Sequence, residues 1–481
     1  MKRNIGFDAM KITISQIVTL SVSMITAMIL SRYLSLQDYG TYSQMILIIT
    51  LVSTLFGIGL PSSINYFAAR TENNKEKQEF FSNYYTLSTL LGILAGIFVL
   101  LCAPFIVKYF NNTFLLKFVY ILVVLPWAKI IDSSISNFLI IYNKTNKLLI
   151  YQFFHSILLM ATILVAMLYD LGFQLYMSLY LLVEVAFLAI IYIIVFKTSE
   201  KIYIRMNLKL IKEILVFSIP IGLATAVGTI SIQIDKMIVG RVYSVEQLAV
   251  FSISSKELPI TFIAGSITAV LLPHIVKKIE QKKMNEAVGI WKEASILSYI
   301  IICFFVAFIF VFSSEIITLL YSEKYLEGIS IFRIFTLVLL IRFTYFAMIL
   351  NATGYTKFIF YSSLLSLVIN LLMNLVLYRI FGFIGPALAT LFSMGIIALV
   401  QLIVTAKVIK IPFRTVMPWK KMFQVSLINI VGGLIFFFVR NYTLRFDINI
   451  YLKLLFFFLV WSSIYFIFVK NEIKESWKAL N

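Results

Sequence analysis

The sequence predicts an all-α integral membrane protein of fourteen transmembrane helices: two six-helix lobes forming a parallel repeat, and two additional helices at the C-terminal end. Three observations predict it. Hydrophobic residues make up 61% of the 481 and charged residues only 13%, against about 25% charged in soluble domains. Apolar runs of about 20 residues, enough for a helix to cross a bilayer core of roughly 30 Å, recur along the whole chain. The residues that close the first run return at a constant spacing in the second half.

The runs follow in order. The first six spans cover about 12–34, 41–68, 82–107, 114–141, 148–169 and 173–196. The next six cover about 214–239, 246–274, 290–313, 329–351, 358–380 and 384–408, and a final pair covers 421–440 and 449–469. None shows strand alternation, and all are too long for barrel strands. The first run lacks a short apolar region with a small-residue cleavage site, so it reads as a retained helix. The expected domains are a first lobe over 1–196, a basic cytoplasmic connector over 197–213, a second lobe over 214–408 and the two additional helices within 409–481. The loops on the side opposite the amino terminus are short, and no soluble domain is inserted.

Lys and Arg set the orientation. Of the 41, 27 fall on the side of the amino terminus, in segments such as "TENNKEKQ", "VKKIEQKKMNE" and "KVIKIPFRTVMPWKK". Both termini are therefore expected in the cytoplasm. This bias, with attraction to anionic lipid, accounts for the net charge of +19 without nucleic acid as a partner.

The repeat rests on three matches. Arg32, Ser35, Gln37, Gly40, Tyr42 and Ser43 stand over Arg241, Ser244, Glu246, Ala249, Phe251 and Ser252 at an offset of 209. "FLIIYNKTNK" at 138–147 stands over "MILNATGYTK" at 348–357 at an offset of 210, and "LYDLG" at 168–172 over "LYRIFG" at 377–382. Six spans fit within the offset, so both halves enter the membrane the same way, related by an axis along its normal. Such paired lobes suit alternating access to a site near the midplane. The sugar-porter type of major facilitator shares the plan, but it expects a Gly-rich loop with Asp after the second span, and here that loop reads "ARTENNKEKQEF".

Catalysis has little to work with. Cys102 and Cys303 lie inside apolar runs and read as small core residues, with no disulfide or metal implied. His155 and His274 lack metal-ligand spacing. There is neither an Asp-x-Asp nor a P-loop, and a polysaccharide polymerase or ligase needs a sizeable outer loop.

Charges inside the spans cost roughly 2.5–3.5 kcal/mol each on insertion scales and so face a cavity or a partner. Arg342, mid-way along the tenth span in "LVLLIRFTYF", and Lys256 with Glu257, ahead of Pro259 in the eighth, are candidates for a substrate cavity. Pro259 removes a backbone donor and suits a kink or gate. Lys129 and Asp132 in the fourth span are three apart and share a face; they read as a self-satisfied pair or as cavity groups. Glu184 in the sixth span reads as a buried hydrogen-bonded carboxyl or a coupling site. Arg333 reads as a snorkelling interfacial residue. Ser15, Thr19, Ser23 and Thr26 on the first span, and Gly222, Thr225, Thr229 and Gln233 on the seventh, read as helix–helix glue or as a hydrated sugar-binding wall.

"SRYLSLQDYGTYS" after the first span, "QIDKMIVGRVYSVEQLAVFSIS" at 233–254 and "LLPHIVKK" closing the eighth resemble the Wzx-type polysaccharide-repeat-unit flippases. These belong to the multidrug/oligosaccharidyl-lipid/polysaccharide (MOP) exporter superfamily, whose fold includes the MATE transporters. The resemblance implies export of an undecaprenyl-pyrophosphate-linked oligosaccharide across a bacterial cytoplasmic membrane by a monomer. It implies no cofactor, coupling to H⁺, Na⁺ or the membrane potential, and membrane lipids, a polymerase and glycosyltransferases as partners. Asp235 and Lys236 match the family's Asp-Lys pattern and read as an interlobe gate or an interfacial anchor. Arg32 and Arg241 mark the two repeat elbows. The extra helices are expected to shelter the lipid tail. A lipid-linked peptidoglycan precursor flippase and a cation-coupled multidrug exporter are the alternatives within the superfamily.

Overall fold

The computed structural model describes residues 5–71, 73–199, 202–256, 258, 260–443 and 449–480. Among them all regular elements are helical. The chain falls into two compact units, Met1–Ala249 and Val250–Asn481. The first holds α1 (Ile5–Tyr33), α2 (Leu36–Gly57), α3 (Leu60–Ser63), α4 (Asn74–Phe110), α5 (Val119–Ile141), α6 (Thr145–Leu168), α7 (Phe173–Thr198) and α8 (Leu208–Val242). The boundary runs through α9 (Val245–Ser254). The second unit continues with α10 (Thr261–Glu280), α11 (Met284–Val311), α12 (Ser313–Leu320), α13 (Ile329–Leu339) and α14 (Met348–Ala352). It ends with α15 (Thr356–Phe381), α16 (Gly385–Ile409), α17 (Phe413–Val416), α18 (Trp419–Thr443) and α19 (Ile450–Leu480).

Ten helical stretches among the described residues are long and apolar enough to cross a membrane by length and composition; the longest, Lys357–Ile409, holds both α15 and α16. Their outward faces stay apolar, with Phe105 74% and Leu168 80% exposed, as lipid contact requires.

The two elbows are built alike. Ser35 caps α2: its Oγ accepts from the Asp38 backbone N–H at 3.0 Å and donates to Asp38 Oδ2 at 2.7 Å. Ser244 does the same for α9, accepting from the Gln247 N–H at 3.2 Å, while Gln247 Oε1 accepts from the Ser244 N–H at 3.3 Å. The second is a capping box, satisfying two otherwise unpaired backbone donors at a helix start; at the first, Asp38 accepts from the Ser35 hydroxyl instead, so one backbone donor is met. Gly40, one turn into α2, lies against the backbone of Val245 in the other elbow, with no space for a Cβ.

Packing in the first unit centres on aromatic residues of α4 and α5, where Phe81 meets Phe138 edge-on at 4.8 Å among Phe80, Tyr84 and Tyr85. In the second unit α11 is the most buried long helix. The two C-terminal helices dock on it: Trp461 of α19 stacks on Phe436 of α18 at 4.6 Å, and the Tyr465 hydroxyl donates to the Ile300 carbonyl at 2.8 Å.

Three expected spans are interrupted. In the second, Ile58 and Gly59 take φ of +45° and +65° between α2 and α3. Positive φ is strained for a β-branched residue. Gly222 of α8 fills this bend, its backbone against Ile58 and Gly59. The eighth span stops at Ser254 and restarts at Thr261, and the tenth stops at Leu339 and restarts at Met348.

Candidate functional site

The break in the tenth span falls on Arg342. The segment "LIRFTYFA" at 340–347 contains no Gly or Pro, so tertiary contacts hold it open. On α11, Trp291, Ser295 and Ser298 lie four and three residues apart and so share one face. Ser298 Oγ donates to the Phe343 carbonyl at 2.6 Å, Trp291 Nε1 donates to Thr344 Oγ1 at 3.2 Å, and Ser295 Oγ shares a hydrogen bond with Thr344 Oγ1 at 2.9 Å. Backbone groups released from a helix must find partners inside a membrane; Ser298 meets that need for the Phe343 carbonyl, while Trp291 and Ser295 hold the Thr344 side chain. Sequence reasoning passed over them; their only signal is the Trp-x3-Ser-x2-Ser spacing.

Arg342 lines a cavity of about 490 Å³ within the second unit, together with Thr268 of α10, Thr344, Ser366 of α15 and Gln401 of α16. A guanidinium with hydroxyl and amide neighbours suits a phosphate bearing sugars: the planar fork binds phosphate oxygens in pairs. Lys256 is half-buried at the other break, between α9 and α10, and is not among the residues lining this cavity. Glu257 and Pro259 lie outside the described residues.

The first unit carries a second polar cluster. Lys129 Nζ of α5 reaches Glu184 Oε1 of α7 at 2.7 Å, and Glu184 is only 2% exposed. His155 Nε2 of α6 lies 3.5 Å from Glu184 Oε2. Asp132 Oδ1 accepts the Tyr151 hydroxyl proton at 2.5 Å. The expected Lys129–Asp132 pair is therefore corrected: Lys129 pairs across to α7 and Asp132 across to α6. A three-apart contact on one helix contributes only about 0.2–0.5 kcal/mol, and packing of α5 against its neighbours supplies better partners. Glu184 is the buried, hydrogen-bonded carboxyl, and His155, set aside for want of ligand spacing, joins it.

At the 210-residue offset of the repeat, Asp132 stands at the place of Arg342, and Glu184 at the place of Met394, which lines the Arg342 cavity. These positions carry two carboxylates in the first unit, Glu184 paired with Lys129 and Asp132 bonded to Tyr151, and two residues of the cavity wall, Arg342 and Met394, in the second.

The remaining candidates lie elsewhere. Asp235 is buried and Lys236 half-buried two turns before the end of α8. Arg32 is exposed in the last turn of α1. Arg241 is also exposed, and its Nη1 donates to the Lys108 and Tyr109 carbonyls at 3.2 and 3.1 Å. It thereby closes the C-terminal end of α4, where a cation is favoured. Thr225 and Thr26 bond back to their own helices at Ile221 and Val22, and Gly222 serves close packing. The side chain of Ser15 is outside the described set.

Comparison with known proteins completes the site's setting. The family model described as "Polysaccharide biosynthesis protein" matches residues 29–330. An uncharacterized membrane protein, MJ1375 of Methanocaldococcus jannaschii, is 27% identical over 214 residues, which is 43% of this chain and 49% of that one. The match thus spans about half the length of that curated relative. Among solved structures, the lipid II flippase MurJ in an inward closed conformation aligns over 97% of this chain and 99% of its own, with a TM-score of 0.72 at 18% identity. An inward-facing MATE-family multidrug resistance transporter of the MOP superfamily aligns over 82% of this chain and 98% of its own, with a TM-score of 0.66 at 17% identity. These likenesses are of fold. On this evidence the chain, a multi-pass membrane protein with the fold of the MOP superfamily, belongs to the polysaccharide biosynthesis protein family.

Proposed function

We propose that the protein exports a lipid-linked oligosaccharide repeat unit, carrying its pyrophosphate-bound glycan from the cytoplasmic to the outer leaflet. The observation that carries the reading is Arg342 at a helix break in the wall of a cavity whose other polar groups are hydroxyls and an amide. Family membership in polysaccharide biosynthesis supports it. The pyrophosphate rests on Arg342, with Lys256 as a second cation, while Thr268, Ser366 and Gln401 face the sugars and the lipid tail stays in the bilayer. The two lobes alternate access, and no nucleotide is spent.

Fourteen crossings with both termini cytoplasmic fit this cycle. Eleven come from the ten apolar stretches, with α15 and α16 counted separately. The other three are α1 and the interrupted eighth and tenth spans. Asp235 with Lys236 is assigned to gating, as is Pro259 in the eighth span, and Glu257 to the substrate cavity.

A second reading within the same chemistry is flipping of a lipid-linked peptidoglycan precursor, favoured by the fold match to MurJ over 97% of the chain. Purified protein in vesicles separates the two. With undecaprenyl-pyrophosphate oligosaccharide supplied in one leaflet, a lectin or glycosidase outside should gain access only when the protein is present. Movement of the peptidoglycan precursor alone would select the second reading, and movement of neither would end both.

A further inference from the structure

The second unit holds another cavity, of about 600 Å³, between α11, α13 and α18. It is separate from the wall that carries Arg342. Its lining is largely apolar, including Phe310, Leu337, Leu340, Leu434 and Phe437, with Arg333 at one end. Leu434 is 56% exposed and Phe310 and Phe437 are each 39% exposed. The slot therefore opens sideways on the helix surface, where the neighbour of a membrane helix is lipid.

The end at Arg333 is built from three helix termini. Arg333 lies one turn into α13, beside the end of α11 and the start of α12. Its Nε donates to Ser313 Oγ at 2.8 Å and to the Phe310 carbonyl at 3.3 Å, and its guanidinium lies over the Phe310 ring at 5.3 Å. These contacts fix one edge of the group. The two Nη amino groups have no hydrogen-bond partner among the described residues. The buried carboxylate nearby, Glu315, is committed to Arg440, whose Nε it accepts at 2.6 Å, and Ser314 accepts from the same guanidinium. Glu315 is thus taken up by Arg440, and Arg333 makes no ion pair among the described residues.

We propose that this slot holds one anionic phospholipid of the leaflet it faces, its phosphate on the Nη groups of Arg333 and one acyl chain along Leu337, Phe310 and Phe437. Charge and shape both support that occupant. A half-buried guanidinium with free donors, one turn inside the helix end, meets a phosphate at headgroup depth. Below it the lining runs along α18 from Phe437 to Ser426, about 16 Å at 1.5 Å per residue, which suits one extended chain. The occupant braces α13 and α18 against α11 and is distinct from any transported lipid, so the proposal does not rest on the transport reading.

The test is native mass spectrometry of the full-length protein exchanged into phosphatidylglycerol, phosphatidylethanolamine or phosphatidylcholine. One phosphatidylglycerol should be retained through delipidation by the wild type, and retention should weaken about tenfold or more in R333Q. Leu337→Trp fills the slot while keeping the charge and should lose retention as well, so the result does not hang on the arginine alone. Equal retention of the two zwitterionic lipids, or retention unchanged in both variants, overturns the proposal. Displacement of phosphatidylglycerol by a polyprenyl pyrophosphate in the wild type also overturns it, reassigning the slot to a carrier lipid.

Discussion

Arg342 was conspicuous in the sequence because an arginine inside an apolar run of this length has to be accommodated by something. What accommodates its surroundings was not legible: Trp291, Ser295 and Ser298 look like ordinary residues of a buried helix until α11 is packed against the open segment. If the guanidinium binds a pyrophosphate, Arg342→Ala should lower the transport rate at least about a hundredfold with expression unchanged. Arg342→Lys should lose about tenfold, keeping the charge but not the paired donors. Retained export in the Ala variant, measured in the vesicle assay, makes the residue structural. Lys129 shows the opposite failure of sequence reasoning: proximity along the helix suggested Asp132, while its partner Glu184 comes from a helix 55 residues away. Breaking that pair leaves a partly buried ammonium, so Glu184→Gln should cost about 1–3 kcal/mol of stability. The double variant K129M/E184Q removes both charges and should recover most of that loss in thermal unfolding. If the cluster also couples an ion, the double variant will be stable yet blind to an imposed pH or Na⁺ gradient.

Among the helices, most boundaries could be read from apolar run length, and the elbows could be matched because Ser35 and Ser244 each bring an acceptor three residues on. The interruptions were legible only where chain chemistry announced them. Gly57, Gly59 and Pro61 stand at the bend in the second span, and Pro259 stands in the eighth, where a kink was expected; the helix there stops at Ser254. The tenth span has no such residue near Arg342, because its break is held by side chains of another helix. Gly222 ties two elements together: a Cβ there would meet the Gly59 amide nitrogen at 2.7 Å as well as the Ile58 backbone. Backbone cannot yield as a flexible side chain can, so Gly222→Ala should destabilise by about 1–3 kcal/mol. Gly228, six residues on, has open space around it. Gly228→Ala should be neutral or slightly stabilising in the same thermal assay, since it removes a flexible residue from a helix interior.

For the transporter as a whole, the proposed cargo would bring its own energy source through its charge. A pyrophosphate-linked glycan is an anion, and carrying it from an inside-negative compartment to the outside is downhill by about 2.3 kcal/mol per charge for each 100 mV. Arg342 and Lys256 offset part of that charge only while they travel with it. If they stay fixed in the second lobe, the full charge of the substrate crosses the field and the potential alone drives export. In vesicles with a K⁺ diffusion potential, outward movement should then speed up when the compartment of origin is made negative, with no pH or Na⁺ gradient present. Collapsing the potential with valinomycin at equal K⁺ should return the rate to its baseline. The competing scheme routes a cation inward through Glu184, Asp235 or Glu257, and it predicts a rate that follows a pH or Na⁺ gradient and ignores the potential. Arg342→Lys separates the two further. It keeps the charge that crosses or stays, so it should lower the rate at every voltage by a similar factor while leaving the slope of the logarithm of the rate against potential unchanged.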